Sequence, residues 1–175
     1  MAKKNRWEHL NDFKKDENGR YEYQGKSYVF AGSGDEQKKA YIKLWSYLIL
    51  SSASVIISGC ISGAGLTNSF YVIIPFLAEA VCLFTLIWNH FKLFTKKSEI
   101  RTYIYNSAHP KIAPSAMLLA FFAVAGFITS VIYSVTTGFE DGAVKAAIYL
   151  ALKLSCTCAA LFYRKVFLTL EWVEI

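Results

Sequence analysis

Tyr71–Phe91, YVIIPFLAEAVCLFTLIWNHF, decides the fold. At about 1.5 Å per residue it is long enough, as a helix, to cross a hydrocarbon core about 30 Å thick. It carries one carboxylate, Glu79, near its middle. Three further apolar runs share the chain with it: Leu44–Gly63, Ala113–Val135 and Val144–Tyr163. Four runs of this length predict an all-α membrane protein, a four-helix transmembrane bundle.

Composition supports that reading. The chain has 175 residues, of which 54% are hydrophobic and 18% charged. A soluble domain has about 25% charged residues. The charges crowd into residues 1–43 and 92–111 and leave the apolar runs nearly free of them. The net charge of +6 flanks apolar spans, where membrane topology accounts for it, so nucleic acid is not expected as a partner. Lipid bilayer is.

The chain divides into a cytoplasmic N-terminal element, residues 1–34, and the bundle, residues 35–175. In the first, Asp16-Glu17-Asn18-Gly19 and Gln24-Gly25 are turn signals between aromatic-rich segments. They predict a short β-meander or hairpin in which a turn at Gln24-Gly25 sets Tyr21 opposite Tyr28. So small an element must lean on the membrane surface, on the second basic segment or on another subunit. Ser33 and Glu36 fit a capping box that starts the first long helix. No short apolar core with a small-residue cleavage site precedes the first span, which is therefore expected to act as its own insertion signal.

Beyond the second span, SEIRTYIYNS (98–107) reads as a short interfacial helix that His109-Pro110 ends, with Pro114 in the first turn of the next helix. Trp45, Tyr47, Trp88 and His90 are assigned to the membrane interfaces. The tail, VFLTLEWVEI (166–175), is apolar enough to lie there too.

Topology follows from Lys and Arg. Residues 1–43 hold ten and residues 92–111 five, whereas the connections 64–70 and 136–142 hold none. Positive residues stay inside. Both termini and the 92–112 connection are therefore expected in the cytoplasm.

Small residues recur at four-residue spacing on three spans: Ser54, Ser58 and Ser62; Gly126, Ser130 and Ser134; Ala147, Ala151 and Ser155. Such faces let helices approach closely in lipid. They are the candidate packing faces, directed into the bundle or at a subunit contact. The cysteines, Cys60, Cys82, Cys156 and Cys158, all lie in apolar runs without metal-ligand or CxxC spacing and read as packing residues.

Glu79 and Lys153 are the candidate intramembrane pair. Each lies roughly 12–14 Å below the start of its span, near the middle of the core. An isolated charge there costs on the order of 3 kcal/mol, so the two are expected to meet as an ion pair or a neutral hydrogen-bonded pair. No catalytic motif, metal-ligand set or cofactor fingerprint accompanies them. A non-enzymatic accessory or structural subunit is the first reading, without a cofactor and with another membrane protein or further copies of itself as partner. The alternative is a small oligomeric transporter or channel that uses Glu79 and Lys153. A membrane enzyme would need a denser polar constellation.

Overall fold

The computed structural model describes residues 13–15, 21–23, 26–61, 69–94, 99–139 and 142–175. Four long helices dominate: α1 (Gly34–Cys60), α2 (Phe70–Phe94), α3 (Thr102–Thr136) and α4 (Ala143–Leu168). All four are long and apolar enough to cross a membrane. Their outer surfaces are apolar as well: Phe84 is 70% exposed and Ile56 64%. Water would not tolerate so continuous an apolar surface; lipid does.

α1 begins at the expected capping box. The Glu36 amide donates to Ser33 Oγ at 3.3 Å, and the Ser33 amide donates to Glu36 Oε2 at 3.1 Å. The helices form a ring in which α1 packs on α4, α4 on α3 and α3 on α2, while α1 meets α2 only sparsely. Small residues allow the α1–α4 approach. Ser51, Ser54 and Ser58 are buried, and Ser54 Oγ donates to Ser155 Oγ at 3.4 Å.

α3 corrects one expectation. It runs unbroken through Pro110 and Pro114, and Ile100–Arg101 before it is a strand, so residues 102–107 are the first turns of α3 and not a separate helix. Tertiary packing outweighs the local break. Ala108 and Ile112 are fully buried on either side of Pro110. The His109 ring stacks on Tyr105 at 4.5 Å and lies 5.1 Å from Phe167.

Among the described residues there are also five short strands: β1 (Phe13–Lys15), β2 (Tyr21–Tyr23), β3 (Ser27–Phe30), β4 (Ile100–Arg101) and β5 (Trp172–Glu174). β1 and β2 pair antiparallel, Phe13 opposite Tyr23. Both turn signals, 16–19 and 24–25, lie outside the described residues. The predicted Tyr21–Tyr28 pair is overturned. β3 does not join β2 but is the centre of an antiparallel sheet ordered β4-β3-β5, where Tyr28 faces Ile100 and Glu174. Tyr28 has better partners there. Its ring stacks on Tyr105 at 4.0 Å, and its hydroxyl donates to Glu174 Oε2 at 3.2 Å.

The C-terminal tail joins the same sheet. Residues 172–174 are a strand, and reciprocal Ser27–Ile175 amide bonds of 2.9 and 2.8 Å close its end. Pairing satisfies backbone groups that an unpaired tail would leave open. The second basic segment supplies β4, one of the supports expected for the N-terminal element.

Candidate functional site

Glu79 projects from α2 and Lys153 from α4, helices on opposite corners of the ring. They meet inside the bundle: Lys153 Nζ donates to Glu79 Oε2, with Lys153 1% and Glu79 0% exposed. α3 makes room for the lysine stem. A Cβ at Gly126 would lie 3.6 Å from Lys153 Cε and 3.8 Å from Cδ, so any longer side chain there would take the space of the stem. The ammonium also lies over two aromatic faces, Phe76 at 4.7 Å and Tyr149 at 5.0 Å. Such faces attract a desolvated cation. The Cys156 thiol lies beside the carboxylate.

This arrangement neutralises a pair of charges in low dielectric, and it is not fully satisfied. Glu79 Oε1 and the Tyr149 hydroxyl are buried and without a hydrogen-bond partner. The site thus holds a spare acceptor and a spare hydroxyl near the middle of the bundle.

Phe76 occupies the seam where α1 and α2 barely touch. Its ring reaches over Gly59 of α1, where an added Cβ would come within 2.8 Å of Phe76 Cζ. Phe76 therefore stands between the Lys153 ammonium and the sparse side of the ring. Phe76, Tyr149 and Cys156 escape a search for charges alone, yet each lies one helical turn from a charge: Phe76 three before Glu79, Tyr149 four before and Cys156 three after Lys153.

The packing faces are met in part. Ser54, Ser58, Gly126, Ser130 and Ser134 are buried, and Ser155 is half-buried. Ser62 lies outside the described residues. Ala147 and Ala151 do not face into the bundle: both are exposed on its outside, the side that a subunit contact would use. The inward face of α4 instead runs through Ala146, Tyr149, Lys153, Cys156, Ala160, Tyr163 and Phe167. Their alternating spacing of three and four is the spacing of a bundle core.

His90 makes a second contact between α2 and α4. At that end of α2 it does not face outward: it is fully buried, and its Nδ1 shares a 2.8 Å hydrogen bond with the Tyr163 hydroxyl of α4. Trp45 caps the ring edge-on at 4.7 Å, and Phe94 lies at 4.6 Å. The signal was spacing: His90 follows Glu79 by three helical turns, with Leu83 and Leu86 between them on the same buried face. α2 and α4 are thus bridged twice, by the ion pair near the middle of the bundle and by the His90–Tyr163 hydrogen bond nearer the sheet. Among the described residues, no group of three or more His, Cys, Asp or Glu is placed to hold a metal ion.

Comparison with protein-family models, with curated proteins and with solved structures finds no match to this chain.

Proposed function

We propose that the chain is a non-enzymatic accessory or structural subunit of a membrane complex, with both termini in the cytoplasm. The observation that carries this reading is the β4-β3-β5 sheet. It gathers the N-terminal element, the α2–α3 connection and the C-terminus at one end of the bundle. Spanning a membrane requires no such platform; presenting a fixed surface to a partner does. The basic residues concentrate at the same end, which supports its cytoplasmic placement. In this reading Glu79 and Lys153 fix the register of α2 against α4.

Gentle detergent extraction of the tagged chain from its native membrane tests the proposal. The expected result is a larger membrane protein in stoichiometric amount. Recovery of the chain as a lone homo-oligomer contradicts it. One observation favours a second reading, an oligomeric transporter or channel: the buried Glu79 Oε1 and Tyr149 hydroxyl offer groups that an ion or proton path uses. Retention of the chain's full activity in cells by Glu79→Gln with Lys153→Met assigns the pair to structure and removes that reading. Loss of activity in a double variant that still folds favours transport.

A further inference from the structure

A cavity of about 490 Å³ opens at the sheet end of the bundle, between the first turns of α1, the end of α2 and the sheet. Its volume is that of a small-molecule site, and its walls are mainly apolar. Leu44, Leu93 and Ile100, all buried, contribute lining from three elements, and Trp172 lines it from β5. The lining changes character along α1. Lys38 is exposed and basic, whereas Ile42, one turn deeper along the helix, is 64% exposed and apolar. At about 1.5 Å per residue the two are roughly 6 Å apart along the membrane normal. A basic group above an apolar opening is the order of a phospholipid, headgroup above chain. The opening at Ile42 belongs to the surface that faces lipid, so an acyl chain can enter sideways without crossing a polar layer. One further polar group is left over at this site: the indole N–H of Trp172 is buried and has no hydrogen-bond partner.

We propose that this cavity holds one acyl chain of an anionic phospholipid, whose phosphate is held at Lys38. The lipid's negative charge complements the basic end of the chain, where Lys38, Lys39 and Lys43 follow one another along α1. A lipid wedged between α1, α2 and the sheet fills a void that the bundle leaves open, and it ties the sheet to the leaflet.

The test uses the full chain in non-ionic detergent with Trp7→Phe, Trp45→Phe and Trp88→Phe, so that Trp172 alone fluoresces. Phosphatidylglycerol brominated in its acyl chains is titrated in, with brominated phosphatidylcholine as the comparison. The expected result is saturable quenching of Trp172 at about one phosphatidylglycerol per chain, with much weaker quenching by phosphatidylcholine. Lys38→Gln, an exposed change that leaves the fold alone, should weaken phosphatidylglycerol binding about fivefold, the worth of one lysine near an anionic surface. Ala40→Phe, which places a ring in the cavity, should abolish the saturable phase. Equal, non-saturating quenching by both lipids overturns the proposal, as does binding indifferent to both Lys38→Gln and Ala40→Phe. Quenching that appears only after residues 2–12 are deleted would assign the cavity to the chain's own N-terminal segment and overturn it too.

Discussion

Lys153 crosses the bundle beside Gly126, and its ammonium meets one carboxylate and two aromatic faces. Removing either charge leaves the other buried and alone, a loss of about 3–5 kcal/mol. Glu79→Lys and Lys153→Glu should therefore each reduce the yield of folded protein and lower its melting temperature in detergent. The charge-exchanged double variant should recover much of both; a double variant as poor as the sum of the singles would show that the two side chains do not act as partners. That the two charges could meet was legible, because counting from the start of each span places both at the same height along their helices. The shape of their surroundings was not. Gly126 stood in a small-residue face for its size, but nothing local says that the space it leaves is taken by a lysine stem from another helix.

The elements themselves were legible as four apolar runs, but their inward faces were not. In a soluble bundle polarity marks the outside; here lipid-facing Phe84 and core Leu86 are equally apolar, so periodicity of hydrophobicity carries little information. The few polar residues carry it instead. Glu79 and His90 on α2, and Lys153 among its neighbours at three- and four-residue spacing on α4, mark the core side, whereas the small-residue spacing on α4 pointed to Ala147 and Ala151 on the outside. These faces predict opposite outcomes for one substitution. Gly126→Leu overfills the space of the Lys153 stem and should cost about 1–3 kcal/mol, visible as a lower melting temperature. Gly126→Ala brings only an ordinary contact and should be tolerated. Ala151→Leu should leave the melting temperature of the isolated chain unchanged.

At the scale of the whole molecule, the sheet ties the segment before α1 to the strand that follows α4. Its pairing was not legible because β3 finds β4 and β5 far along the sequence, the Tyr28–Glu174 contact spanning 146 positions. The Glu174 carboxyl accepts from Lys26 at 2.5 Å and from Tyr28 at 3.2 Å, and these bonds, the Lys26 bond foremost, hold it below its ordinary range. A carboxyl depressed in the folded state contributes stability that is present above its unfolded pKa and lost as pH falls through the folded one. After correction for intrinsic exchange, which itself slows in acid, the protection of the Val29 and Ala31 amides should therefore fall as pH falls, and Lys26→Gln should flatten that dependence. The pair is exposed, so salt should weaken the effect.

The orientation of this assembly decides whether the sheet is a cytoplasmic platform and whether the lipid cavity opens to the inner leaflet. Single-cysteine labelling with a membrane-impermeant maleimide, in a background lacking Cys60, Cys82, Cys156 and Cys158, measures it directly. Cysteines placed at Ala31 and Glu99 should react only after the inside face is opened, and those at Asn68 and Asp141 should react in intact cells. Labelling of Ala31 and Glu99 positions from outside, or of all four from one side, would contradict the account.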